Sequence, residues 1–439
     1  MIQVIKKLLN NKQDVFLTGG GGTGKSYLIR RLKEEYGTKM VVVSTTGLSA
    51  LNIGGRTIHS YFKTGICDSI RCLSTFHPLL KYRDNTRTAR QKKQEFIRPF
   101  KYLDILVIDE CSMMSAEYLD MILTIITEMK TLDPSINFNI IFTGDLLQLP
   151  PVSGSPIYYH PFFQQAQMIN LTKVYRTDNK PFAHMLSKIR LGIWDDKMAK
   201  YLLSLRPTTE PRGEKLVLVP TNQQASYINN IALKNLNEEI IDIPFTVTHT
   251  KGYSVNPQTV QNVMKSISLS TESLKIAKGA RVIIKQNIFD SGVVNGDTGI
   301  VVDYDNSIFG QLSEITIKLD RNGQKVRITT QTLELNDYRI HTIPVVLAYA
   351  ITIHSSQGQS IDSYVLDTEN MFSPGHFYVG ISRATNPHNL NIISDLQNLY
   401  NQITNINRGA YQFYINKINQ NLAITEKNKG LFLTKGVLV

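Results

Sequence analysis

The sequence predicts an α/β protein with two parallel sheets, a small basic insertion in the first and a β-rich insertion in the second. Three observations carry this prediction. Short β-branched runs alternate with helical stretches over the first 170 residues, and a second set of such runs begins near residue 216. Between them the first run ends in a glycine-rich loop that opens directly into a helical stretch. Strands that alternate with helices are buried on both faces, so they read as nearly continuous apolar runs.

In chain order, the first set of strands is predicted at 15–18, 40–44, 105–109 and 140–143, with helices at 26–36 and 116–130 between them. Residues 62–101 are rich in Arg and Lys and carry little strand pattern. The second set is predicted at 216–220, 345–350, 364–366 and 390–393. It is interrupted from about 240 to 340, where short alternating runs at 280–285, 299–304, 315–319 and 325–330 flank the turn signals Asn295-Gly296-Asp297 and Arg321-Asn322-Gly323. That pattern predicts a small β-barrel. The tail beyond about 400, rich in Asn, Ile and Lys, is predicted to be helical.

Bulk properties narrow the function. The 439 residues suffice for roughly three globular units at ~150 residues each. A net charge of +12 favours a polyanionic partner, because Lys and Arg on phosphates release condensed counterions. No apolar run approaches the ~18 residues of a membrane span, and the N-terminus lacks a signal-peptide pattern. A soluble intracellular protein is expected. Cys67, Cys72 and Cys111 make no disulfide framework and are read as ordinary thiols. Cys67, Cys72 and His77 lack a fourth neighbour at zinc-site spacing.

The chemistry begins at Gly19-Gly20-Gly21-Gly22-Thr23-Gly24-Lys25-Ser26, a G-x-x-x-x-G-K-[ST] loop between a strand and a helix. Backbone N–H groups of such a loop, with the helix N-terminus behind them, cradle phosphates. Lys25 is placed for the β- and γ-phosphates of ATP, and the Ser26 hydroxyl for Mg²⁺. The run at 105–109 ends in Asp109-Glu110. Asp109 at the strand tip suits Mg²⁺, and Glu110 suits the orientation and deprotonation of an attacking water. Gln148, in Thr143-Gly144-Asp145-Leu146-Leu147-Gln148-Leu149-Pro150-Pro151, follows the next strand and is placed to sense the γ-phosphate. Arg176 and Arg383 are the candidates for neutralising transition-state charge, and Tyr175 is a candidate purine-stacking surface.

In order along the chain, these motifs resemble those of the Pif-type (petite integration frequency) helicases of superfamily 1B. The further motifs are Thr45-Thr46-Gly47-Leu48-Ser49-Ala50 with Thr57-Ile58-His59-Ser60, Val174-Tyr175-Arg176, His354-Ser355-Ser356-Gln357-Gly358 and the stretch from Tyr378 to Arg383. Ser112-Met113-Met114-Ser115-Ala116-Glu117-Tyr118-Leu119-Asp120 looks like the run that marks this family. The similarity spans about residues 15–395. It implies two RecA-like P-loop domains, 1A over 1–61 and 102–172 and 2A over 173–240 and 341–400. It makes 62–101 a wedge, 1B, and 241–340 an inserted SH3-like β-barrel, 2B, leaving 401–439 as a helical tail.

The resemblance also implies an ATP- and Mg²⁺-dependent DNA helicase, a monomeric motor that moves 5′ to 3′ on single-stranded DNA and opens forked or tailed duplexes. It adds Gly380 to the nucleotide site and Thr46, Thr57, His59, Asn222, His354, Ser356 and Gln357 to the DNA contacts. The chain departs from the family where Ser355 replaces a common Lys and Thr177 a common Gln. Alternative expectations are a RecD-like translocase subunit and a nucleotide-gated module that grips nucleic acid without unwinding it.

Overall fold

In the computed structural model, residues 1–45, 56–65, 69–81, 86–205, 215–243, 245–250, 252–266, 274–286, 288, 293, 297–306, 312–335 and 338–428 are described. They form two compact units. The first comprises the described parts of 1–45, 55–178 and 406–439; the second comprises those of 179–405.

The first unit is built on β1 (Val15–Gly19), β2 (Met40–Ser44), β3 (Arg56–Thr57), β4 (Ile105–Asp109), β5 (Asn139–Gly144) and β6 (Gln167–Leu171). They lie in the order β3-β2-β4-β5-β1-β6, and every pairing is parallel. The predicted strands of this set are all present; β3 and β6 extend the sheet at its two edges. The central strands are apolar throughout because helices cover both faces, and Val15, Phe16, Leu17, Leu106 and Val107 are completely buried. The helix Lys25–Tyr36 follows β1, and Ala116–Leu132 joins β4 to β5. Ser115 caps the latter by accepting from the Tyr118 N–H at 3.1 Å.

Residues 62–101 carry short helices, the longest Arg87–Ile97, whose Phe96 packs with Phe62 and Phe100 into an aromatic cluster. His77 is buried there. One ring nitrogen lies 2.9 Å from the Phe62 carbonyl and the other accepts from the Leu79 N–H, which accounts for it without zinc. Cys72 is disulfide-bonded, correcting its reading as a free thiol; Cys67 lies outside the described residues and Cys111 is a buried free thiol.

In the second unit, the strands in chain order are β7 (Leu216–Val219), β8 (Ile241–Ile243), β9 (Thr246–His249), β10 (Leu274–Ile276), β11 (Arg281–Ile284), β12 (Thr298–Asn306) and β13 (Leu312–Leu319). They continue as β14 (Lys325–Thr329), β15 (Gln331–Leu335), β16 (Tyr338–Thr342), β17 (Val345–Leu347), β18 (Ala350–Thr352), β19 (Tyr364–Asp367) and β20 (Leu390–Ile393). A second parallel sheet runs β18-β7-β19-β20. The run predicted at 345–350 is divided. Its first half is β17, which pairs antiparallel with β11, and only from Ala350 does the chain enter the parallel sheet.

The insertion is antiparallel, as its alternation predicts, but it is not a closed barrel among the described residues. Its largest sheet is open, β14-β13-β12-β11-β17, beside a three-stranded sheet β15-β16-β9 and the pair β10-β8. Alternation specifies a buried face, here the cluster around Ile276, Val282, Ile317 and Ile328; closure depends on tilt and shear, which alternation does not encode. The turn at Arg321-Asn322-Gly323 is formed, with the Gly323 N–H bonded to the Leu319 carbonyl, whereas Asn295 and Gly296 lie outside the described residues.

Candidate nucleotide and nucleic-acid sites

The first unit brings the candidate phosphate-binding residues together at the C-terminal ends of its strands. The Lys25 ammonium donates to the carbonyls of Gly19 and Gly20 at 2.8 and 3.1 Å, and Thr23 Oγ1 donates to Gly20 at 2.9 Å. Gly22 has φ +78°, and a Cβ there would stand 2.4 Å from Arg176 Cβ. Tyr175 seals the same approach. Its N–H bonds the Gly22 carbonyl at 2.7 Å, while its ring, 65% exposed, lies beside Gly24 under the Lys173 ammonium. Arg176 and Tyr175 therefore stand over the phosphate loop from within its own unit.

Beside the loop, β4 ends in the acid pair. The Asp109 carboxyl is pushed up to about 7, chiefly by removal from water and then by the neighbouring Glu110 charge, with Lys25 pulling the other way. Such a carboxylate favours a cation. Mg²⁺ prefers a few hard oxygen ligands alongside substrate phosphates, and the Ser26 hydroxyl at the helix start and the Asp109 carboxylate are donors of that kind. The residues fit the ion. Glu110 adopts φ +52° and its carbonyl accepts from Thr45 Oγ1 at 2.9 Å, which ties the end of β2 to the acid pair. Past β5, Asp145 is completely buried and Gln148 nearly so; the Gln148 N–H bonds the Asp145 carbonyl at 2.9 Å, and its amide nitrogen lies 3.5 Å from the Asp145 carboxylate.

Of the residues proposed to contact DNA, Thr57 and His59 belong to this unit. Thr57 caps the short helix Ile58–Tyr61 through the Ser60 N–H. His59 stacks on Tyr118 with centroids 4.5 Å apart and planes 25° apart. Burial holds its pKa down to about 4, so the ring is neutral at physiological pH and offers a face and hydrogen bonds rather than a charge. Tyr118 also bonds Thr64 through its hydroxyl at 2.8 Å. Tyr118 lies in the run that resembles the family's, where the sequence alone gives it no task. Thr46 lies outside the described residues.

The second unit carries the remaining candidates. Asn222 is exposed at the start of the helix Asn222–Lys234, which Thr221 caps through the Gln224 N–H. His354 and Ser356 sit in the turn after β18; Gln357 follows, buried like Ser356. The rings of His354 and His376 meet edge to face at 5.2 Å, and burial lowers the pKa of both. Arg383 is 1% exposed. Its guanidinium donates to the carbonyls of Val379, Ser356 and Gln359 at 2.9, 3.3 and 3.1 Å, and to Ser382 Oγ at 2.9 Å. In this conformation it ties the His354–Gln359 segment to the helix His376–Ile381, and contact with a phosphate requires those bonds to be exchanged. Gly380 is accounted for by packing, since a Cβ there would stand 2.5 Å from Leu366.

A parallel sheet with a glycine-rich phosphate-loop motif, a strand-tip acid pair and a buried amide beside them has the make-up of a P-loop nucleoside triphosphatase. The family model for PIF1-like helicases matches residues 1–200. Over 455 aligned positions the chain is 30% identical to the ATP-dependent DNA helicase Pif1 of Campylobacter jejuni, covering 96% of each. The chain belongs to the PIF1-like helicase family. Its fold is similar to the crystal structure of Pif1 helicase from Candida albicans, with TM-score 0.74 and 24% identity over 94% of this chain and 98% of that one. It is also similar to Pif1 helicase from Bacteroides in complex with ADP-AlF3 and single-stranded DNA, with TM-score 0.62 and 24% identity over 90% and 91%.

Proposed function

We propose that this chain is an ATP- and Mg²⁺-dependent DNA helicase that moves 5′ to 3′ along single-stranded DNA and separates forked or tailed duplexes as a monomeric motor. The observation that carries the reading is the convergence of Lys25, Asp109, Glu110 and Gln148 at one end of the first unit's sheet, in a chain of the PIF1-like family. Binding alone needs no general base; an acid pair beside a phosphate loop supports turnover.

In this reading Gly19 to Gly24 wrap the phosphates with backbone N–H groups, and Lys25 leaves the loop carbonyls to meet the β- and γ-phosphates. Tyr175 stacks on the base. Ser26 and Asp109 hold Mg²⁺, which supplies charge neutralisation on the phosphate oxygens. Glu110 orients the attacking water and takes its proton, while Gln148 registers whether the γ-phosphate is present. Arg176 and Arg383 stabilise the charge that develops on the departing phosphoryl group.

The two units act as RecA-like domains 1A and 2A, with 62–101 as a wedge at the fork and the 241–340 insertion as an SH3-like 2B element. Thr46, Thr57 and His59 grip DNA from 1A, and Asn222, His354, Ser356 and Gln357 grip it from 2A. Alternating grip converts hydrolysis into steps. The test is strand separation on otherwise identical duplexes with a 5′ tail, a 3′ tail or blunt ends. The reading predicts ATP-dependent unwinding of the 5′-tailed substrate alone; equal unwinding of the 3′-tailed substrate, or of none, overturns it.

A further inference from the structure

The C-terminal helix Arg408–Asn428 packs on the first unit rather than trailing from the second. Its aromatic residues seat it. Phe413 meets Phe163 at 5.6 Å and Phe16 at 6.2 Å, and Tyr414 stacks on Phe16 at 6.2 Å. Tyr158 donates to Asn407 Oδ1 at 2.8 Å, and the Lys417 ammonium donates to the Ala166 carbonyl at 2.7 Å. A Cβ at Gly409 would stand within 2.8 Å of the Tyr158 and Tyr159 hydroxyls, so the helix lies flush at that point.

This seating carries a polar group into the ATPase core. Tyr414 is completely buried, and its hydroxyl lies 2.6 Å from Thr18 Oγ1, 3.0 Å from the Leu146 nitrogen and 3.5 Å from Asp145 Oδ1. A hydroxyl has one proton to give and two lone pairs to fill. Accepting from Thr18 and from the Leu146 N–H while donating to Asp145 uses all three. Thr18 directly precedes Gly19, the last residue of β1 and the first of the phosphate-loop motif, and the pairing of β1 with β5 ends at Thr18 and Gly144. Beyond that point the turn carrying Gln148 continues without strand pairing to β1. One phenol oxygen therefore joins the residue before the phosphate loop to the sensor turn.

We propose that Tyr414 is a positioning residue for ATP hydrolysis, its hydroxyl setting the sensor turn that carries Gln148 against the strand that carries the phosphate loop. The proposal rests on the helicase reading above and adds the C-terminal helix to the ATPase machinery. Tyr414→Phe keeps the ring and removes the bridge. It is expected to lower kcat for DNA-stimulated ATP hydrolysis by about tenfold, or 1.4 kcal/mol, with KM for ATP within about twofold of wild type. Thr18→Val removes the same bridge from its other end, and the two together are expected to cost no more than either alone. Phe413→Leu, which alters packing only, is expected to lower Tm and leave kcat at its wild-type value.

Hydrolysis that depends on Lys25 in the wild type, with Tyr414→Phe or Thr18→Val retaining wild-type kcat, overturns the proposal alone. Absence of Lys25-dependent hydrolysis in the wild type overturns the helicase reading and the proposal with it. If Tyr414→Phe does not fold, Thr18→Val carries the same test with the same two outcomes.

Discussion

At the scale of single residues, the site combines groups whose tasks are set by their surroundings. Asp109 and Glu110 are adjacent acids, yet β4 delivers the first to the strand tip beside Lys25 while Glu110 turns into a left-handed conformation. Under the proposed division of labour, Glu110→Gln keeps the shape and removes the base. It should lower kcat for ATP by roughly 10²–10⁴-fold with KM little changed, measured as DNA-stimulated phosphate release. An unchanged kcat would remove Glu110 from the chemistry. These residues were legible because the phosphate loop and acid pair are local patterns with a fixed context. Arg383 and Gly380 were less so: whether a guanidinium faces a phosphate or a ring of carbonyls depends on the fold around it, and here Ser356, Gln359 and Val379 claim it.

Among the elements, the first turns of the helix Ala116–Leu132 hold several neighbouring segments at once. Glu117 in its first turn accepts from the Ser155 N–H at 3.0–3.1 Å, holding the stretch that follows Pro151. One residue on, Tyr118 stacks on His59 and bonds Thr64, and Asp120 meets His160 at 2.8 Å. Tyr118→Leu removes the stack while leaving an apolar side chain. It should weaken single-stranded DNA binding by roughly fivefold, about 1 kcal/mol, and leave nucleotide affinity unaltered. Equal loss of both would make Tyr118 a general support of the fold.

The parallel strands were legible at this scale because burial on both faces writes itself as unbroken apolar runs. The division of 345–350 between two sheets was not. Val345 and Ala350 are equally apolar, and only their partners, Ile284 and Val217, separate them. The docking of the C-terminal helix was also hidden, although Tyr411, Phe413 and Tyr414 mark it as a helix with something to bury.

For the whole molecule, buried histidines set a pH dependence. Burial lowers His59, His77 and His376 to about 4 from an ordinary 6.5. As pH falls below about 6.5, the unfolded chain takes up protons that the folded chain refuses. Stability from these groups is therefore complete above pH 6.5 and drains toward pH 4. Asp109, raised to about 7, works in the opposite direction, as do Asp14 and Asp367, which burial also raises, while His354, lowered by burial, acts with the three rings. The urea midpoint should be lower at pH 5 than at pH 7.5; an unchanged or higher midpoint would show that these rings are not held neutral.

The net charge of +12 and the phosphate loop converge on one claim, that nucleotide turnover answers to DNA. Its most direct measurement is the rate of ATP hydrolysis with and without single-stranded DNA, in the wild type and in Lys25→Ala. The account predicts stimulation by DNA in the wild type and loss of hydrolysis in the variant. Hydrolysis that ignores DNA, or that survives unchanged in Lys25→Ala, would contradict it.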